Sequence, residues 1–109
     1  MRFDVQLSPQ ALADVESAYV WLRERAEVEA ARWYNRLMDA IESLADLPER
    51  YALAPEAERV GAELRQMLVG RRAGTYRVLY TCASKTVRVH RVRRAAHQDL
   101  TISDFQELA

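Results

Sequence analysis

Apolar and polar residues alternate from Arg2 to Leu7, with Phe3, Val5 and Leu7 on one side and Arg2, Asp4 and Gln6 on the other. A period of two with one apolar face predicts a half-buried strand. The period then changes. Ser8-Pro9 reads as a helix start, with serine as N-cap and proline at the first helical position. Leu12, Val15, Tyr19, Leu22 and Ala26 follow in steps of three and four and define one stripe. Ala30, Trp33, Leu37, Ile41, Leu44 and Leu47 define a second, which stops at Pro48. No strong breaker lies between Arg25 and Glu29, so the two stripes predict an αα-hairpin with a tight corner.

Pro48 to Val60 carries two prolines and mixed charge and predicts a loop, tacked to the core by Tyr51 and Leu53. Three strands are expected next, at Glu63–Val69, Thr75–Cys82 and Thr86–Arg93. The intervening Gly70–Gly74 and Ala83–Lys85 are short enough for hairpin turns, so the strands are expected to be antiparallel neighbours. The tail Thr101–Ala109 spaces Ile102, Phe105 and Leu108 by three and reads as a short helix or a frayed end. This order predicts one α+β domain over residues 1–109: two layers, with an N-terminal strand, an αα-hairpin and a three-stranded antiparallel meander completing one sheet.

Charge changes the picture more than composition does. The chain is neutral overall, yet residues 1–60 hold seven arginines against twelve acids, whereas residues 61–100 hold nine cations against two acids. Such asymmetry concerns partners rather than fold. The single cysteine, Cys82, excludes an internal disulfide framework and reads as a small apolar residue in a reducing, cytoplasmic setting. No run approaches the roughly 18 apolar residues of a membrane span, and Met1-Arg2-Phe3-Asp4 lacks a signal-peptide core, so no membrane role is expected.

The basic residues are interleaved with apolar ones. On the second strand of the meander Tyr76, Val78 and Tyr80 point one way and Arg77 and Leu79 the other; on the third, Val87 and Val89 oppose Arg88 and His90. Alternation falters at Arg91-Val92-Arg93-Arg94, which predicts a bulge or a strand end. A sheet face of guanidinium groups calls for an anion, whether nucleic acid, acidic peptide or acidic protein surface. Arg77 sits between apolar neighbours, where a charge must find a partner; Arg71 and Arg72, in a turn, read as solvated. The three glycines have neither Walker nor dinucleotide spacing. His90 and His97 lack a nearby cysteine partner, and no Ser-His-acid arrangement is suggested. Neither a metal nor a cofactor is expected.

The run Leu64-Arg65, Gly70, Tyr76-Arg77-Val78-Leu79-Tyr80 and Val87 to Ala96, together with Leu44 to Arg50 and Ala54-Pro55-Glu56, resembles the RelE/ParE superfamily of toxins. The resemblance covers about residues 2–97 and implies the toxin half of a bacterial type II toxin–antitoxin, or plasmid stabilisation, module. Two functions follow from it. RelE-like members are ribosome-dependent mRNA endonucleases that use lysines, the arginine of the Tyr-Arg strand and late arginine and tyrosine residues. Arg77 matches that arginine, but the only lysine is Lys85 and no tyrosine follows Tyr80. A Glu-Arg-His variant of the nuclease site would map onto Glu63, Arg77 and His97. ParE-like members inhibit DNA gyrase by binding, and the missing lysines and tyrosine favour that branch. Both branches imply a cognate antitoxin that wraps the toxin in a hetero-oligomer, with Arg65, Arg77, Arg91, Arg93 and Arg94 as contacts for target or antitoxin.

Overall fold

The structure is a computed structural model that describes residues 2–71, 74–96 and 105. Strand β1 (Asp4–Leu7) leads into helices α1 (Pro9–Arg23) and α2 (Glu27–Glu42). Two single 3₁₀ turns (Ser43–Ala45, Pro48–Arg50) and a one-turn helix α3 (Ala57–Val60) precede β2 (Arg65–Val69), β3 (Tyr76–Ala83) and β4 (Thr86–Arg94). The sheet order is β1-β4-β3-β2, with β2, β3 and β4 antiparallel and β1 parallel to β4. The expected helical hairpin, meander and single α+β sheet are therefore all present.

Local chemistry fixes the helix ends. Ser8 Oγ accepts the Ala11 N–H at 3.0 Å and donates to the His90 carbonyl at 2.9 Å. One buried hydroxyl thus caps α1 and ties it to β4. Helix α2 lacks a side-chain cap but carries Glu27 and Glu29 in its first turn, where carboxylates suit the helix dipole. At its far end the Arg50 guanidinium donates to the carbonyls of Ser43, Asp46 and Leu47, which gather where the helix gives way to the two 3₁₀ turns.

The helices cover one sheet face. Ala11, Val15, Leu37, Ile41 and Leu44 pack on Met67, Val78, Tyr80, Val87, Val89 and Val92. Leu12, Ala26 and Leu47 of the expected stripes are exposed and do not join this core, Ala26 because it lies at the corner between the two helices. Leu12 is exposed because α1 sits on its Ala11 face, where the small side chain allows close approach. Leu47 is 77% exposed because the helix ends first and the chain turns there with φ +48°. The other sheet face is also covered, so β3 is buried on both sides. A second cluster joins Leu64 and Leu79 to Ala54, Ala57 and Phe105.

That second cluster explains why Pro48–Val60 is not a plain loop. Ala54 N–H bonds to Leu64 O, Gln66 N–H bonds to Ala52 O, and Leu53 bridges Arg65. The segment therefore runs along the outer edge of β2, shielding an edge that would otherwise be open, and then folds α3 over the sheet. The expected irregularity in β4 lies one residue earlier than Arg91. Leu79 pairs with Arg91 and Tyr80 with Val89, so His90 is the extra residue of a bulge. The bulge resets the alternation and lets Val92 reach the same core as Val87 and Val89. His90 is buried, with Nε2 2.8 Å from Thr81 Oγ1 and its ring against Phe105.

Candidate partner-binding site

Carboxylates within the chain meet three arginines of the meander, Arg65, Arg77 and Arg91. Arg77 donates through Nη1 and Nη2 to the two oxygens of Glu56 at 2.8 and 2.6 Å, and through Nε to Gln66 Oε1 at 2.9 Å. Glu56 is fully buried and Arg77 nearly so. A planar fork matched to a carboxylate is the strongest geometry available to such a pair. Arg91 forms the same kind of fork with Asp14 on α1, at 2.8 and 2.9 Å, and Asp14 also accepts the Val92 N–H. Arg65 donates to the Tyr51 carbonyl at 2.7 Å and lies 3.7 Å from the Glu49 carboxylate. The partner that Arg77 requires is therefore supplied by the chain itself.

The other expected residues are placed differently. Glu63 is exposed just before β2 and contributes to the field at Cys82. Arg77 lies five residues from Cys82 along β3, roughly 16 Å at strand spacing, so Glu63 and Arg77 are not brought together. His97 and Arg72 lie outside the described residues. Cys82 is half-buried beside the main core, and burial together with Glu49 raises its thiol pKa.

The open surface lies between the helical hairpin and the end of the sheet. Glu29, Arg32, Trp33 and Arg36 share one face of α2 by their spacing of three and four. They line a cleft of about 820 Å³ opposite Gly70, Arg71 and Gly74. Its floor is the Trp33–Tyr76 ring pair, with centroids 5.1 Å apart. A second cleft, of about 500 Å³, lies between Asp14, Ser17 and Trp21 of α1 and the Arg91–Arg94 end of β4. Trp21, Tyr76 and Arg94 line both, so the two form one trough. Burial raises the Tyr76 phenol, and nearby Arg94 opposes the shift in part. A phenol held above its ordinary pKa stays neutral at physiological pH and is a poor general base. The trough can bind by aromatic contact and charge.

The family described as "ParE toxin of type II toxin-antitoxin system, parDE" matches residues 5–99. The chain belongs to this ParE toxin family. Its fold agrees with that of a solved structure titled "Chromosomal ParDE TA system from P. aeruginosa", at a TM-score of 0.67 and 13% identity, covering 85% of this chain and 96% of the other. At that identity the likeness concerns the fold. No curated protein matches the sequence. Among the described residues, no group of His, Cys, Asp and Glu could hold a metal ion, and no helix is long and apolar enough to cross a membrane.

Seen on this ParE-family fold, the sequence expectations divide. Arg93 and Arg94 line the trough, and Arg91 lines it while paired with Asp14. Arg65 and Arg77 are absorbed into contacts with the segment that covers β2. Trp21, Arg32, Arg36 and Tyr76 were not singled out as site residues from the sequence. A signal for Trp21 existed, because it is a large aromatic lying off the apolar stripe of α1.

Proposed function

We propose that this ParE-family toxin acts by binding, that its target is DNA gyrase, and that a cognate antitoxin neutralises it by covering the trough. The observation that carries the reading is the state of Arg77. A nuclease of the alternative type would need that guanidinium free to meet a phosphorane-like transition state. Here all three of its nitrogens face Glu56 and Gln66 in a buried site. The exposed Arg32, Arg36 and Arg71 around an aromatic floor instead suit an extended acidic segment, which supports a wrapping antitoxin.

The test adds purified toxin to gyrase, plasmid and ATP, and in parallel to translating ribosomes carrying a defined mRNA. The expected result is loss of supercoiling with accumulation of cleaved DNA, reversed by antitoxin, while the mRNA stays intact. Cleaved mRNA with unaffected gyrase would reverse the assignment. Inactivity in both assays, with no effect on growth, would remove it.

A further inference from the structure

Trp21 occupies an unusual position on this surface. It lines both halves of the trough and also a shallower cleft on the outer face of α1, formed with Glu16, Val20 and Glu24. It is 48% exposed, so it adds little to the core for a side chain of its size. It is also held in place. The Arg25 guanidinium lies 3.9 Å from the indole centroid, and Arg25 Nη1 donates to the Trp21 carbonyl at 2.8 Å. A cation stacked over an indole and bonded to its backbone restrains the ring before any partner arrives. An aromatic anchor ordered in advance loses little entropy on binding, which is the property of residues that dominate interface energies.

Charge around the ring is arranged by side. On the sheet side the rim carries exposed Arg32, Arg36 and Arg71, with Glu29 the one acid lining that cleft among the described residues. On the outer side the flanking groups are Glu16 and Glu24. An acidic segment is drawn along the first side and repelled from the second, so the direction in which it crosses the indole is set.

We infer that Trp21, braced by Arg25, is the anchoring residue of the partner interface, and that its occupant is an acidic segment of the antitoxin that packs an apolar side chain on the indole. This rests on the antitoxin reading above. The test titrates fluorescently labelled cognate antitoxin into the wild type, Trp21→Ala, Arg25→Gln and Leu12→Ala. Leu12 is equally exposed on the same helix and lines none of these three clefts. Trp21→Ala is expected to weaken binding roughly thirty-fold or more, and Arg25→Gln roughly threefold. Leu12→Ala is expected to bind as the wild type does, and thermal midpoints should stay together. In the wild type, tryptophan emission should shift to the blue on binding, and Trp21→Phe should remove most of that shift, because the second tryptophan, Trp33, is already buried. Wild-type affinity in Trp21→Ala overturns the inference while leaving the antitoxin reading intact. A wild type that ignores the antitoxin overturns both. Trp21-dependent binding of a single-stranded oligonucleotide, with antitoxin binding left unchanged in Trp21→Ala, overturns the class of partner assigned here.

Discussion

Replacing Glu56 by Gln should be among the most damaging conservative changes in this chain. The variant keeps the shape of the side chain but removes the charge opposite Arg77, which is buried along with it. One carboxylate oxygen becomes an amide that donates, and it then faces a guanidinium that can only donate. Breaking a buried ion pair from one side costs about 3–5 kcal/mol, because the remaining charge is left uncompensated. A domain of this size has a total stability of about 5–15 kcal/mol. The thermal midpoint should therefore fall by roughly 15 °C or more. Arg77→Met should also be costly, since it removes the fork that neutralises the buried Glu56 carboxylate. The double variant Glu56→Leu/Arg77→Met should recover most of the loss, because neither charge remains to be desolvated. Thermal and urea unfolding followed by circular dichroism measure all three. If each single variant costs under about 1 kcal/mol, or if the double variant equals the sum of the singles, the pair is not the buried lock described. The double variant also separates fold from function. On the binding reading it should remain toxic once folded, whereas a nuclease built on Arg77 should be lost.

Three further outcomes follow from named contacts. Gly70→Ala should destabilise by more than about 1 kcal/mol, because Gly70 has φ +103° and a Cβ there would lie 2.4 Å from the Gly74 carbonyl oxygen; melting curves measure the loss. Asp14→Ala removes the Arg91 fork and the acceptor for Val92 N–H and should cost about 1–3 kcal/mol, with Asp14→Asn recovering part by keeping one acceptor, as chemical denaturation would show. Tyr80 has its pKa pushed up to about 12, chiefly by burial, its hydroxyl bonded to the Pro48 carbonyl. Between pH 10 and 12 the unfolded phenol loses its proton while the folded one keeps it, so the native state binds more protons and stability falls as pH rises. Below pH 10 this contribution is fully present. Tyr80→Phe should flatten that alkaline decline in melts taken across the window.

The hairpin and the meander were legible because each rests on local periodicity. Ser8-Pro9 marks the start of α1 by its own chemistry, and the Tyr76-Val78-Tyr80 alternation places those three residues on the helix side of the sheet. The segment 48–60 was not legible, because its structure comes from partners distant in sequence. Nothing near Glu56 announces that Arg77, twenty-one residues later, will draw it into the core. The bulge is legible only as a fault in the pattern, whereas its position at His90 comes with contacts distant in sequence, among them the Ser8 hydroxyl on the His90 carbonyl. The trough was missed for the same reason: its residues come from α1, α2, the β2–β3 turn and the end of β4.

The charge asymmetry of the sequence acquires a different meaning once these contacts are known. A basic half and an acidic half suggest two outward faces, yet Asp14, Glu49 and Glu56 come from the acidic half and meet Arg91, Arg65 and Arg77 of the basic one. Much of the asymmetry is spent inside the fold, fastening α1 and the 48–60 segment to the sheet. The exposed cations Arg32 and Arg36 belong to the acidic half, on α2, and Arg71 stands across the cleft from them. Among the described residues no carboxylate forms with them a fork of the kind that holds Arg77, and they border the aromatic floor where an acidic segment would lie. The side chains that most resemble a nuclease site by their strand position thus hold the protein together. The surface suited to recognition joins the basic end of β4 to Arg32 and Arg36, whose sequence context reads as an ordinary solvated helix.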